Sequence, residues 1–130
     1  MVHQIAAETM TPFGEKLREL RKQHDMTMAS MAQYLGVSSA YLSQVEHGRR
    51  GTPGMIMIDQ ICALFGLIWE DAEALKELAS LSSPKVVIDT TGLSQDAMIA
   101  ANLFAQILPK VSEEEARTMA EWLKTRQDKL

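Results

Sequence analysis

With 130 residues, 46% hydrophobic and 23% charged, the chain has the composition of one compact globular domain with room for a small appendage, and not that of a disordered or fibrous protein. No apolar run approaches the ~20 residues that a membrane helix needs, and the N-terminus lacks the basic stretch and apolar core of a signal peptide. A cytoplasmic protein without membrane contact is therefore expected. The net charge of −4 argues at first against nucleic acid as a partner, but it is unevenly spread: residues 12–52 hold six basic and four acidic side chains, residues 53–130 seven and twelve.

Residues 1–11 show no sustained period and read as an N-terminal arm, one without the arginine that minor-groove arms use. Thr11 as N-cap and Pro12 at the first helical position open a first helix with the apolar stripe Phe13, Leu17 and Leu20. Thr27 caps a second, Met28 to Leu35, whose inward residues are Met31, Ala32 and Leu35. Gly36 and Val37 leave room only for a tight turn, because glycine accepts positive φ and the small Ala32 permits a close crossing. Ser38 then caps a third helix, about Ser39 to His47, stopped by Gly48. Leu42 and Val45 point inward, which sends Ser39, Ala40, Ser43 and Gln44 to the outer face. Two helices held at a steep angle with the second left polar outside is helix-turn-helix geometry.

After the basic Arg49-Arg50-Gly51, Thr52 and Pro53 are expected to restart a helix through Met55, Ile58, Ile61, Cys62 and Phe65, ended near Gly66. Trp69, Ala72, Leu75, Leu78 and Ala79 form the stripe of a fifth helix, with Glu70 and Asp71 placed to favour its dipole. The single cysteine, Cys62, sits in an apolar run and reads as a buried thiol; Met26, Met31, Met55 and Met57 read as core filling.

Ser82-Ser83-Pro84 breaks the pattern and begins a C-terminal region, 82–130. Lys85 to Asp89 has strand propensity, and a lone strand needs a partner, for which the same strand of a second subunit is a candidate. Ser94 caps a helix through Leu108 that is apolar nearly all round, ended by Pro109. Ser112 and Glu115 form a capping box for a last helix with the stripe Ala116, Met119, Ala120 and Leu123. So little polar surface demands burial, either within the monomer or in a dimer interface; a homodimer is favoured because short DNA sites are usually read by paired subunits.

The stretch LRELRKQHDMTMASMAQYLGVSSAYLSQVEHGRR resembles the helix-turn-helix region of the xenobiotic-response-element (XRE) family, the group similar to the lambda and 434 phage repressors. The resemblance spans roughly Phe13 to Leu81 and rests on Ala32, Gly36, Val37-Ser38, Tyr41 through Gln44, Glu46 and Gly48. It implies an all-α, five-helix DNA-binding domain over 12–81, followed by the C-terminal helical hairpin. It also implies a structural ion pair between Arg21 and Glu46, and sugar-phosphate contacts from Tyr41, His47, Arg49 and Arg50, with Thr27, Met28 and Ser38 at the helix starts. The family commonly carries glutamine where Met28 stands, reaching a phosphate and bracing the third helix. Methionine does neither.

The third helix is thus expected in the major groove of double-stranded DNA, with Ser39, Ala40, Ser43 and Gln44 at base edges; Gln44 suits adenine and Ala40 a thymine methyl. The leading expectation is a homodimeric transcriptional repressor. The alternative is an antitoxin of the same fold, binding a toxin through residues 85–130. No enzyme, metal or cofactor is expected: His3, His24 and His47 lack ligand spacing, and no phosphate loop or nucleophile elbow occurs.

Overall fold

A computed structural model describes residues 9–130; residues 1–8, and with them most of the expected arm, lie outside that range. The described residues are helical: α1 (Pro12–Gln23), α2 (Met28–Leu35), α3 (Ser39–Glu46), α4 (Met55–Phe65), α5 (Trp69–Ser80), α6 (Gln95–Ile107), a 3-10 turn (Leu108–Lys110) and α7 (Glu113–Asp128). They fall into two compact units, divided between Val86 and Val87.

In the first unit the helices close a ring of contacts, α1 on α3, α3 on α2, α2 on α4, α4 on α5, and α5 back on α1. The ring exists because each helix contributes one apolar stripe to a shared centre. Phe13, Leu17 and Leu20 come from α1, Met31, Ala32 and Leu35 from α2, Leu42 and Val45 from α3, Ile58, Ile61 and Phe65 from α4, and Leu75 and Ala79 from α5. Burial of side chains this size contributes about 1.5–3 kcal/mol each before conformational entropy is subtracted. The helix starts are capped as expected: Gly14, Ser30 and Tyr41 N–H groups donate to the hydroxyls of Thr11, Thr27 and Ser38, each at 3.0 Å. Gly36, at φ +73°, makes the left-handed turn between α2 and α3 that any residue with a Cβ would strain.

Three expectations are corrected. Trp69 is not part of the core stripe: it opens α5 at φ +51° and stands 82% exposed. A helical wheel places Trp69 on the face of Ala72, but the first residue of a helix has no preceding turn to pack against and its side chain escapes the core. Met55 is likewise exposed at the first turn of α4, whose N-cap is Gly54 and not Thr52, while Met31 is buried and Met26 and Met57 pack on the core's edge. Lys85 to Asp89 forms no strand; Val86, Val87 and Ile88 are exposed, since propensity without a pairing edge does not make a ladder. Ser82 packs with the helices before it. It is buried, its Oγ accepting from Phe13 N–H at 2.9 Å and donating to the Leu78 carbonyl at 2.5 Å, which ties the end of α5 to the start of α1.

The second unit has a different character. Ser94 caps α6 through the Ala97 N–H at 3.1 Å, and Ser112 with Glu115 forms the expected capping box on α7. Yet neither helix buries a single residue. Trp122 is 64% exposed, Ile99 55% and Leu103 51%, and Phe104, Met119, Trp122 and Leu123 line an open apolar hollow.

Candidate nucleic-acid interface

The outer face of α3 is held from beneath and from one end. Beneath, Leu42 and Val45 are buried against α1 and α2. At the end, Glu46 carries two attachments. Its carboxylate, 1% exposed, takes both terminal nitrogens of the buried Arg21 of α1, Nη1 on Oε2 and Nη2 on Oε1 at 3.4 Å. Its backbone carbonyl accepts from Thr11 N–H at 3.2 Å and from Thr11 Oγ1 at 3.3 Å. The forked guanidinium matches a carboxylate in two bonds, which fixes angle as well as distance. The ion pair that the family resemblance implied is therefore present, and it links α1 to the last residue of α3.

Above this base lie the four residues expected at base edges: Ser39 and Ala40 are exposed, Ser43 and Gln44 half-buried. Ser43 lends its carbonyl to the His47 ring, whose Nδ1 lies 2.9 Å away. A carbonyl only accepts, so Nδ1 is the donor in this bond. Arg50 folds back, its Nε donating to Gln44 Oε1 at 2.7 Å, with its guanidinium carbon 5.4 Å from the Tyr41 ring centroid. This contact between the loop and α3 was not expected. Its partners are six residues apart across a turn, a separation to which helical periodicity is blind.

At the start of α2, Thr27 Oγ1 accepts the Ser30 N–H and donates to Ser30 Oγ at 3.0 Å. The first-turn amides of Met28 and Ala29 have no intrahelical acceptor and lie at the positive end of the helix dipole, a geometry that favours an anion. The Met28 side chain instead packs against the core.

Residues 17–68 match the family model described as helix-turn-helix. That stretch takes in α2 and α3 whole, with the turn between them. The chain is 42% identical over 65 residues to the uncharacterised HTH-type transcriptional regulator RghRB of Bacillus subtilis strain 168, a stretch covering 50% of this chain and 47% of that one. It is 38% identical over 61 residues to the HTH-type transcriptional repressor RghR of the same strain, covering 47% and 45%. The chain thus spans about half the length of the curated relatives it matches. No solved structure matches it significantly. No helix among the described residues is long and apolar enough to cross a membrane.

Proposed function

We propose that the chain is a DNA-binding transcriptional regulator, a homodimeric repressor acting in the cytoplasm without catalysis, which inserts α3 into the major groove. The observation that carries this is the polar outer face of α3, fixed by the Arg21–Glu46 pair and set within the stretch that matches the helix-turn-helix model. In this reading Ser39, Ala40, Ser43 and Gln44 meet base edges. Tyr41, His47, Arg49 and Arg50 meet one sugar-phosphate strand, and Thr27, Ser38 and the Met28 amide meet the other. Serine and alanine discriminate bases weakly, so paired half-sites supply much of the selectivity. The acidic remainder of the chain limits non-specific attraction to DNA.

The dimer is supported by the second unit. Met98, Ile99, Leu103, Ile107, Leu108, Trp122 and Leu123 are each about half exposed, and side chains of this size supply area of the order that a stable interface takes, about 800 Å² per partner. The charge of α7 favours a second copy as occupant. Glu113, Glu114 and Glu115 stand in its first turn, while its far end holds Lys124 and Arg126, with Lys129 at the C-cap, against Glu121 and Asp128, a balance that is basic by one charge. Antiparallel pairing sets acid against base at both ends; parallel pairing sets like against like. A toxin partner for the same face, the antitoxin reading, has no such match in its favour.

Fluorescence anisotropy on a duplex selected from a random library tests the proposal. Nanomolar binding that weakens steeply with salt, and loss of base preference in Gln44→Ala, are expected. Equal binding of all duplexes by the wild-type chain overturns it.

A further inference from the structure

The loop after α3 contains an arginine that touches the groove-side face and not merely its edge. Tyr41 and Gln44, three residues apart on α3, are neighbours on the helix surface, and Arg50 reaches both. The chain is turned back by two glycines in the left-handed region, Gly48 at φ +75° and Gly51 at φ +72°, with Arg49 N–H bonded to the Gln44 carbonyl at 2.9 Å. The Tyr41 ring gives the guanidinium a face to rest on, which limits where it can point.

A guanidinium has donors and no acceptor, so the Gln44 atom facing Arg50 is the amide oxygen and the NH2 is turned away from it. Bidentate reading of adenine uses both ends of a glutamine amide, the oxygen accepting from N6–H and the nitrogen donating to N7. Here the oxygen already holds a cation at 2.7 Å, and that cation repels the positive hydrogens of an amino group brought alongside. What Gln44 presents to a groove, with its oxygen so held, is the NH2 group, a donor with no free acceptor beside it. Among the four bases, guanine matches it, with N7 and O6 both acceptors in the major groove.

We propose that Arg50 is a positioning residue for base selection: by holding Gln44 Oε1 it turns Gln44 from a reader of adenine into a reader of guanine. The proposal rests on α3 being the DNA reader. Its test is binding-site selection from a random duplex library with the full chain and the variants Gln44→Ala, Arg50→Ala and Arg50→Lys. The half-site position whose preference disappears in Gln44→Ala marks where that side chain lies. At that position the wild type prefers guanine, and both Arg50 variants lower the guanine-to-adenine ratio by about tenfold while the other positions keep their preferences. Lysine keeps the charge but lacks the planar fork, so Arg50→Lys retains more total affinity than Arg50→Ala while losing the same base preference. A guanine-to-adenine ratio unchanged in Arg50→Ala, or a wild type that prefers adenine, overturns the proposal and leaves α3 as reader. If the wild-type chain enriches no sequence, the DNA reading falls and takes this inference with it.

Discussion

Gly14 of α1 lies directly against the backbone of Glu46. A Cβ built on Gly14 would overlap the Glu46 carbonyl oxygen and stand 2.7 Å from its carbon and 2.8 Å from its Cα. The crossing of α1 over the end of α3 therefore requires a residue without a side chain. It also brings Thr11 within reach of the same carbonyl.

Gly14→Ala accordingly destabilises the domain even though alanine is the better helix former by about 1 kcal/mol. Backbone on both sides of the clash cannot rotate away, so a net loss of about 2 kcal/mol is expected, of the size seen when cores are overpacked. Urea denaturation measures it. An alanine variant as stable as wild type would show that the crossing is loose.

Glu46→Ala leaves the Arg21 guanidinium buried without its counter-charge, and a loss of about 3–5 kcal/mol follows. Replacing both partners with apolar residues, Arg21→Met with Glu46→Leu, removes the stranded charge and recovers most of it. Comparing denaturation midpoints decides the matter: a double variant no more stable than Glu46→Ala means the charge was never the problem.

Cys62 is 7% exposed, and burial first, then the nearby Asp59, pushes its thiol above the ordinary value of 9.0. The folded state thus holds the proton more tightly than the unfolded chain. Any stability linked to this group is fully present below pH 9 and is lost as pH rises beyond it. Alkylation by iodoacetamide at pH 8 should run at least tenfold slower in the native protein than in urea. Equal rates would place the thiol at the surface.

Met28→Gln restores at the start of α2 a side chain able to donate to a phosphate. Affinity for the selected duplex should rise severalfold, since a hydrogen bond to a charged group is worth about 1.5–3 kcal/mol and the core contact given up offsets part of that. Anisotropy titration reads the change, and weaker binding by the variant would mean that the packing of Met28 matters more than any phosphate contact.

Trp122→Glu places a charge in the exposed apolar face of α7 and should convert a dimer into a monomer at micromolar concentration, with a loss of at least tenfold in affinity for a two-fold site. Sedimentation velocity on both proteins provides the check. A wild-type chain that is monomeric at 100 µM contradicts the dimer directly.

What could be seen in the sequence was whatever is local. Caps at Thr11, Thr27, Ser38, Ser94 and Ser112 were legible because a cap and its helix lie within four residues, and the stripes of α1 to α3 because periodicity reports a face. The Arg21–Glu46 pair came only through family resemblance, being 25 residues apart. Contacts set by topology were not legible. Ser82 reads as loop until Phe13, 69 residues away, donates to it. The spacing of α1 does not mark Gly14 at all; its role comes from Glu46, 32 residues on, lying against it. Trp69 misleads in the other direction, since its apolar surface suggests a core that its backbone turns it from.

The double hold on Glu46 has one more consequence. Its carboxylate and its carbonyl are both gripped by the segment around α1, so the roll and tilt of α3 are settled before any ligand arrives. In the proposed complex with DNA, the aim of the α3 face is thus set partly by residues that never enter a groove. A drift in target preference through evolution has two routes open to it: exchanging a residue on that face, or re-angling the whole helix from behind.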